Sequence, residues 1–314
     1  MIEKVNFGVQ NWRSSVPGGW TIICAGEDSG MLSGKVALVT GAGRGIGRGI
    51  ARCLSSHGAT VVIAEVDAQA GRECARELQD RGRRALFVST DVSQQSQVEA
   101  AVAACIEHFG RLDILVNNAV KVARDLLLEE KTDAMLAEQL AIGVWGPWWA
   151  MRAALPHMRE GGGGRIINFT SGDVQTGAWL HSDYNIAKGA VEALTRSAAN
   201  EWARFNILVN AVAPVGASSA YETLCRERPG FEEAAKLAIP LGRVGDPESD
   251  VAPVVAFLAS DAAQYITGST LLADGGVHLS RVNTKPQRLQ QEASQGGRPV
   301  QEPSSLYQEE PQHG

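Results

Sequence analysis

Between Leu32 and about Ser280 the chain alternates short, often β-branched apolar runs with longer stretches whose apolar positions recur every three to four residues. The longer stretches put their apolar residues on one face of a helix, whereas an unbroken apolar run of four to eight residues reads as a strand. Runs of the second kind stand at 35–40 (KVALVT), 60–65 (TVVIAE), 85–90 (ALFVST), 112–118 (LDILVNN), 165–170 (RIINFT), 207–212 (ILVNAV) and 270–273 (TLLA). They lack polar alternation, so the sheet they form needs helices on both faces, which βαβ connections provide in a parallel sheet. The pattern predicts an α/β fold, a single doubly wound domain. Gly161 to Gly164 read as the turn that ends a helix and opens the fifth strand.

The periodic region has clear flanks. Residues 1–31 show neither period and contain Pro17, Gly18, Gly19, Gly26 and Gly30, which predicts a disordered N-terminal extension. Met31 stands just ahead of the first strand, which raises the expectation of a translation start there; an intact mass beginning at Met1 would defeat it. Residues 281–314, rich in Gln, Pro, Glu and Ser, bury too little to offset the entropy of ordering and are expected to be a disordered polar tail. One domain over 32–280 is the expectation; α/β domains of about 250 residues are common.

Composition narrows the function classes. A formal net charge of -6 supplies no basic field for nucleic acid or anionic lipid. The one basic cluster, Arg81, Arg83 and Arg84 around Gly82, reads as a solvated turn. No apolar run is long enough to cross a bilayer and no secretion signal is visible, so the cytoplasm is the expected compartment. The 5 cysteines form no C-x-x-C pair, as in a reduced protein, and Cys53, Cys74 and Cys105 fall in helical patterns as packing residues. The 6 histidines form no metal motif, and no metal is expected.

Candidate chemistry begins after the first strand. Thr40-Gly41-Ala42-Gly43-Arg44-Gly45-Ile46-Gly47 leads straight into a helix. Glycines there let the backbone approach a pyrophosphate, while free N–H groups and the helix dipole stabilise its charge. Glu65, at the end of the second strand, can accept hydrogen bonds from an adenosine ribose and would repel a 2′-phosphate. NAD is therefore favoured over NADP, with Arg44 offsetting part of the repulsion. Asp91 and Val92 end the third strand; Asp91 either reaches the adenine region or caps a helix beginning at Val92.

A second group lies downstream. Tyr184 and Lys188 are four residues apart, one helical turn, so both side chains share a face. A neighbouring ammonium favours the phenolate of a tyrosine, bringing a group of pKa about 10 toward use as an acid or base. Ser171 follows the fifth apolar run and can donate to an oxygen on which negative charge develops; no G-x-S-x-G elbow surrounds it, which argues against a nucleophile.

With these residues in view the chain resembles a short-chain dehydrogenase/reductase from about Leu32 to Ser280. The resemblance rests on Thr40 to Gly47, Asn117-Asn118-Ala119, the Ser171, Tyr184, Lys188 set, Asn210 to Pro214, Pro240 to Arg243, Tyr265 to Gly268 and Asp274 to Gly276. It implies a Rossmann-like, seven-stranded parallel sheet of order 3-2-1-4-5-6-7 and hydride exchange between nicotinamide and a small-molecule alcohol or carbonyl substrate. Tyr184 would be the acid/base, Ser171 would hold the substrate oxygen, and Lys188 would bind the nicotinamide ribose. Asn118 joins the expected cofactor contacts. A homodimer or homotetramer is also implied.

Three positions depart from the family pattern. Gly143 stands where an asparagine usually anchors a water in a proton relay, 28 residues ahead of Ser171. A glycine there also costs about 1 kcal/mol of helix stability relative to alanine. Either a water or a neighbour such as Gln139 compensates, or turnover is slow. Val120 and Val215 replace glycines at places where backbone nears the cofactor. These departures keep open an alternative, a cofactor-binding but catalytically weak protein acting through assembly. Trp145, Trp148 and Trp149 read as core or subunit-interface residues, and Trp179, His181 and residues 215–239 as shapers of the substrate pocket.

Overall fold

The computed structural model describes residues 30–280; the extension and tail expected at the termini lie outside the described residues, apart from the last two positions of the first. Seven parallel strands form one sheet of order β3-β2-β1-β4-β5-β6-β7. They are β1 (Val36–Thr40), β2 (Thr60–Glu65), β3 (Ala85–Ser89), β4 (Ile114–Asn117), β5 (Gly164–Phe169), β6 (Ile207–Pro214) and β7 (Thr270–Ala273).

Continuous apolar strands arise because neighbouring residues feed opposite cores. Ala37, Val39, Val61, Ile63, Ile114 and Val116 pack on the face covered by α1 (Gly45–Ser56), α2 (Ala68–Asp80) and, later in the chain, Ala252–Ala259. Val36, Leu38, Val62, Ala64 and Leu115 pack on the opposite face with α3 (Gln95–Phe109) and helical residues from 146–160 and 182–202. Cys53, Cys74 and Cys105 are buried in these two cores, as expected of packing residues. The edge strands β3 and β7 are only half-buried, a departure from the expectation of full cover, because an outermost strand has one neighbour and less helix above it.

Several boundaries shift for identifiable reasons. β4 starts at Ile114 because Leu112 and Asp113 belong to its entry, where Asp113 accepts the Val36 N–H at 2.9 Å and a fork of Arg111. β6 runs two residues further than expected, to Pro214. Its pairing with β5 ends at Phe169 and Val212 while pairing with β7 continues to Ala273, so the missing proline N–H falls where no strand accepts it. Arg81, Arg83 and Arg84 border the turn between α2 and β3, with Gly82 at φ 72. The glycine run does end one helix at Glu160 and open β5.

The helix expected at Val92 is corrected: α3 begins at Gln95, with Gln94 at its N-cap. Asp91 instead accepts the Ser93 N–H at 2.9 Å and the Ser93 hydroxyl at 2.7 Å, closing a turn ahead of the helix.

After β4 come α4 (Asp133–Leu140), a π-helical turn (Ala141–Trp145) and α5 (Gly146–Glu160). α6 (Asp173–Thr176) and α7 (Ser182–Trp202) follow β5, and α8 (Ser219–Glu227), α9 (Phe231–Ala238) and α10 (Ala252–Ala259) follow β6. α11 (Val277–Ser280) closes the described chain. Among the described residues no helix is long and apolar enough to cross a membrane.

Candidate active site

Glycine is required at three positions where β1 turns into α1. Gly41 and Gly45 sit at φ 65 and 50, and a Cβ on Gly47 would stand 2.1 Å from the Gly41 carbonyl oxygen. Arg44, the N-cap residue of α1, offers its first turn no side-chain cap, so these N–H groups open on a cavity of about 290 Å³. Gly41, Arg44, Gly45, Ile46, Gly47, Glu65, Asp91, Val92 and Asn118 all border it. Uncapped N–H groups at a helix start, reached only past glycine, suit an anionic diphosphate.

Two carboxylates shape this end. Glu65 accepts N–H bonds from Gly43 at 2.9 Å, Val66 at 2.9 Å and Asp67 at 3.1 Å, and so braces the glycine loop. Asp67, which the sequence motifs did not single out, caps α2 and holds the Arg44 guanidinium at 2.5 Å. The Ala70 N–H foremost, with that guanidinium, keeps the Asp67 carboxyl below the usual range. Asn118 donates to the Thr40 and Gly41 carbonyls at 2.9 and 3.1 Å, tying the end of β4 to the loop.

A second cavity of about 680 Å³ shares Ile46, Asn118, Val120 and Ser218 with the first, so the two form one continuous cleft. Ser171, Tyr184 and Lys188 all border it. The Lys188 ammonium lies 5.7 Å from the centre of the Tyr184 ring and donates to the Phe169 carbonyl at 2.8 Å. Burial lowers its pKa to about 8. The Ser171 hydroxyl oxygen accepts the Asp173 N–H at 3.2 Å.

The departures from pattern fall in different places. Val120 borders both parts of the cleft and Val215 the second. Gly143 lies in the π-helical turn, where a Cβ would stand 3.2 Å from that of Ala187; its missing side chain lets this turn lie close to α7. The Gln139 amide donates to the Lys121 carbonyl at 3.3 Å, and the residue borders neither cavity. Trp179 and the tryptophans of 145–149 also lie outside the lining, whereas His181 belongs to it, as do eight positions from Val215 to Arg228. Val122 to Asp125 and Asp173 complete the wall. No motif marks them, because the loop after β4 is defined only by what folds against it. Among the described residues no group of His, Cys, Asp and Glu could hold a metal ion.

A family model described as enoyl-(acyl carrier protein) reductase matches residues 41–278. The short chain dehydrogenase/reductase astE of Aspergillus oryzae is 40% identical over 258 residues, covering 81% of this chain and 98% of that protein. The chain belongs to the short-chain dehydrogenase/reductase family. Another relative, cis-4-hydroxycyclohexanecarboxylate dehydrogenase of Sinomonas cyclohexanicum, is 41% identical over 243 residues, 77% of this chain and 96% of its own. Among solved structures, carveol dehydrogenase from Mycobacterium avium in complex with NAD superposes with a TM-score of 0.75 at 29% identity, covering 80% of this chain and 99% of that one. As a short-chain dehydrogenase/reductase the protein is an oxidoreductase of alcohol or carbonyl groups that uses a nicotinamide cofactor.

Proposed function

We propose that the protein is an NAD-dependent dehydrogenase/reductase that interconverts a secondary alcohol and a ketone on a cyclic, mainly apolar small molecule. The observation that carries this reading is the continuous cleft, with the glycine loop at one end and Tyr184, stacked one turn from buried Lys188, at the other.

When bound, the nicotinamide dinucleotide supplies or accepts the hydride. Gly41, Arg44, Gly45, Ile46 and Gly47 hold its pyrophosphate, Glu65 the adenosine ribose, and Asp91, Val92 and Asn118 line its path. Lys188 holds the nicotinamide ribose and favours the phenolate of Tyr184. In oxidation, the substrate hydroxyl passes its proton to the Tyr184 oxygen as the C–H hydride departs and the C=O forms; in reduction, Tyr184 returns the proton. Ser171 hydrogen-bonds the substrate oxygen throughout, where charge develops.

Two features favour NAD. Glu65 and Asp67 make the ribose end negative, and Arg44, the one cation bordering that cavity among the described residues, is engaged by Asp67. Support for the substrate class comes from the walls, where Val120, Val122, Phe169, Val215, Tyr221 and Leu224 border the larger cavity. Two relatives are named for dehydrogenation of cyclic alcohols, carveol and cis-4-hydroxycyclohexanecarboxylate. The proposed working unit is residues 32–280 in a homodimer or homotetramer, with exposed Trp145 and Trp148 in the contact.

Absence of a polar group at Gly143 favours a second reading, a binder of cofactor with little turnover. A panel of cyclic alcohols and ketones with NAD and NADP, read by reduced nicotinamide, separates the two. Turnover with NAD that falls at least about a hundredfold in Tyr184→Phe is the expected result. Higher efficiency with NADP overturns the cofactor assignment, and tight NAD binding without turnover overturns the enzyme reading.

A further inference from the structure

Four charged residues from three separate parts of the chain meet at the wall of the larger cavity. His181, the residue just ahead of α7, has Nδ1 3.1 Å from an oxygen of Asp173 and Nε2 3.2 Å from an oxygen of Asp125. The second Asp125 oxygen accepts from Arg228 at 2.7 Å, at the end of α8. A neutral imidazole has one N–H and one lone pair, so it would turn that lone pair toward a carboxylate; an imidazolium satisfies both oxygens. The loop after β4 is thereby joined to α7 on one side and to α8 on the other.

Further contacts bind the same loop to α7. The Leu126 N–H donates to the carbonyl of Leu180, and the Lys131 ammonium joins the Arg124 carbonyl to the Asp183 carboxylate, one residue before Tyr184. The ion pair of Lys131 and Asp183 is buried; the His181 contacts are partly open to solvent.

We propose that His181, as the imidazolium, is a positioning residue that holds α8 across the substrate cavity by tying Asp125 to the first turn of the Tyr184 helix. It rests on the reading of this cleft as the substrate site. His181 touches no reacting atom in this scheme; it acts through Asp125 and Arg228.

The surrounding charges fit that role. Asp173 comes from the segment after β5, and Asp125 and Arg124 from the loop after β4. Glu227 comes from the end of α8 and Arg228 follows it, and Tyr184, whose ring meets the imidazole edge-on at 6.1 Å, and Lys188 come from α7. Asp173 foremost, against partial burial and aided by Asp125, raises the His181 pKa above its ordinary value. The tie is complete below the ordinary imidazole pKa of about 6.5 and is lost as pH rises through the raised value.

Hydrogen–deuterium exchange of the full chain, corrected for intrinsic rates, tests this between about pH 6 and pH 9, on either side of the imidazole transition. Residues 219–238 should lose protection at the higher pH in the wild type and show no such pH step in His181→Gln. Arg228→Gln should expose them at both pH values while the His181 ring still titrates by NMR. With a cyclic alcohol, KM should rise more steeply with pH in the wild type than in His181→Gln, and rise more than kcat falls. A wild type without the pH step, or a His181→Gln variant that keeps it, overturns the proposal. Absence of turnover in the wild type overturns the enzyme reading instead, and the exchange experiment still decides the tie.

Discussion

The Lys188 ammonium nitrogen lies 2.8 Å from the carbonyl oxygen of Phe169, the last residue of β5. This bond anchors the cation against the sheet beneath Tyr184, but it does not fully replace the water lost on burial, and the pKa falls to about 8. Between that value and the unfolded value of about 10.5 the unfolded chain holds a proton that the folded chain does not, so this group makes stability rise with pH. Denaturant midpoints for wild type and Lys188→Met should therefore diverge across this window. The wild type should gain on the variant by up to about 3 kcal/mol as pH rises. Parallel curves for the two proteins would show that Lys188 is charged in the fold throughout.

Asp67 controls how much of the Arg44 charge is free. Replacing it with asparagine keeps a side chain able to cap α2 while releasing the guanidinium. Asp67→Asn should raise catalytic efficiency with NADP by up to about fivefold relative to NAD, in line with one exposed charge pair being broken. Steady-state kinetics with the two cofactors measures it, and an unchanged ratio would leave Glu65 as the sole source of discrimination.

Gly47 cannot carry a methyl group without moving the loop, because its Cβ would meet the Gly41 carbonyl oxygen at 2.1 Å and the Asn118 amide at 2.6 Å. Gly47→Ala should weaken NAD binding at least about tenfold and lower stability by about 1–3 kcal/mol, the range for overpacking. Calorimetric titration and thermal unfolding read the two effects separately. Unchanged NAD affinity in a folded variant would mean that the loop does not hold the cofactor.

The ion pair of Lys131 with Asp183 is almost fully enclosed, at 5% and 2% side-chain exposure. Lys131→Met strands a carboxylate in the interior and should cost about 3–5 kcal/mol. The double variant Lys131→Met, Asp183→Asn should recover most of that loss, since no charge is then left without its partner. Equal losses in the single and double variants, measured by chemical denaturation, would show that the lysine contributes packing rather than charge.

Much of this architecture was readable from neighbouring residues. Strands such as β2 are apolar at every position from Val61 to Ala64 because both their faces are covered, and Gly41 and Gly45 are required where the chain turns at positive φ into a helix. The spacing of Tyr184 and Lys188 places them one turn apart whatever surrounds them. The reading was weaker at the edges: β3 and β7 look like central strands from their residues, yet they lie outermost and half-buried. Asp91 looked equally like a helix cap, because an aspartate closing a turn and one capping a helix use the same short hydrogen bonds.

Local order thus came from the chain itself: periodicity, turn chemistry and the glycine loop depend on backbone sterics and on side chains a few residues apart. The cleft wall did not. Asp125, Asp173, His181 and Arg228 lie on segments separated by up to 103 residues and meet only because β4, β5 and β6 end side by side. Charge–charge contacts depend on distance in space, and for these four residues only the packing of the sheet and its covering helices sets that distance.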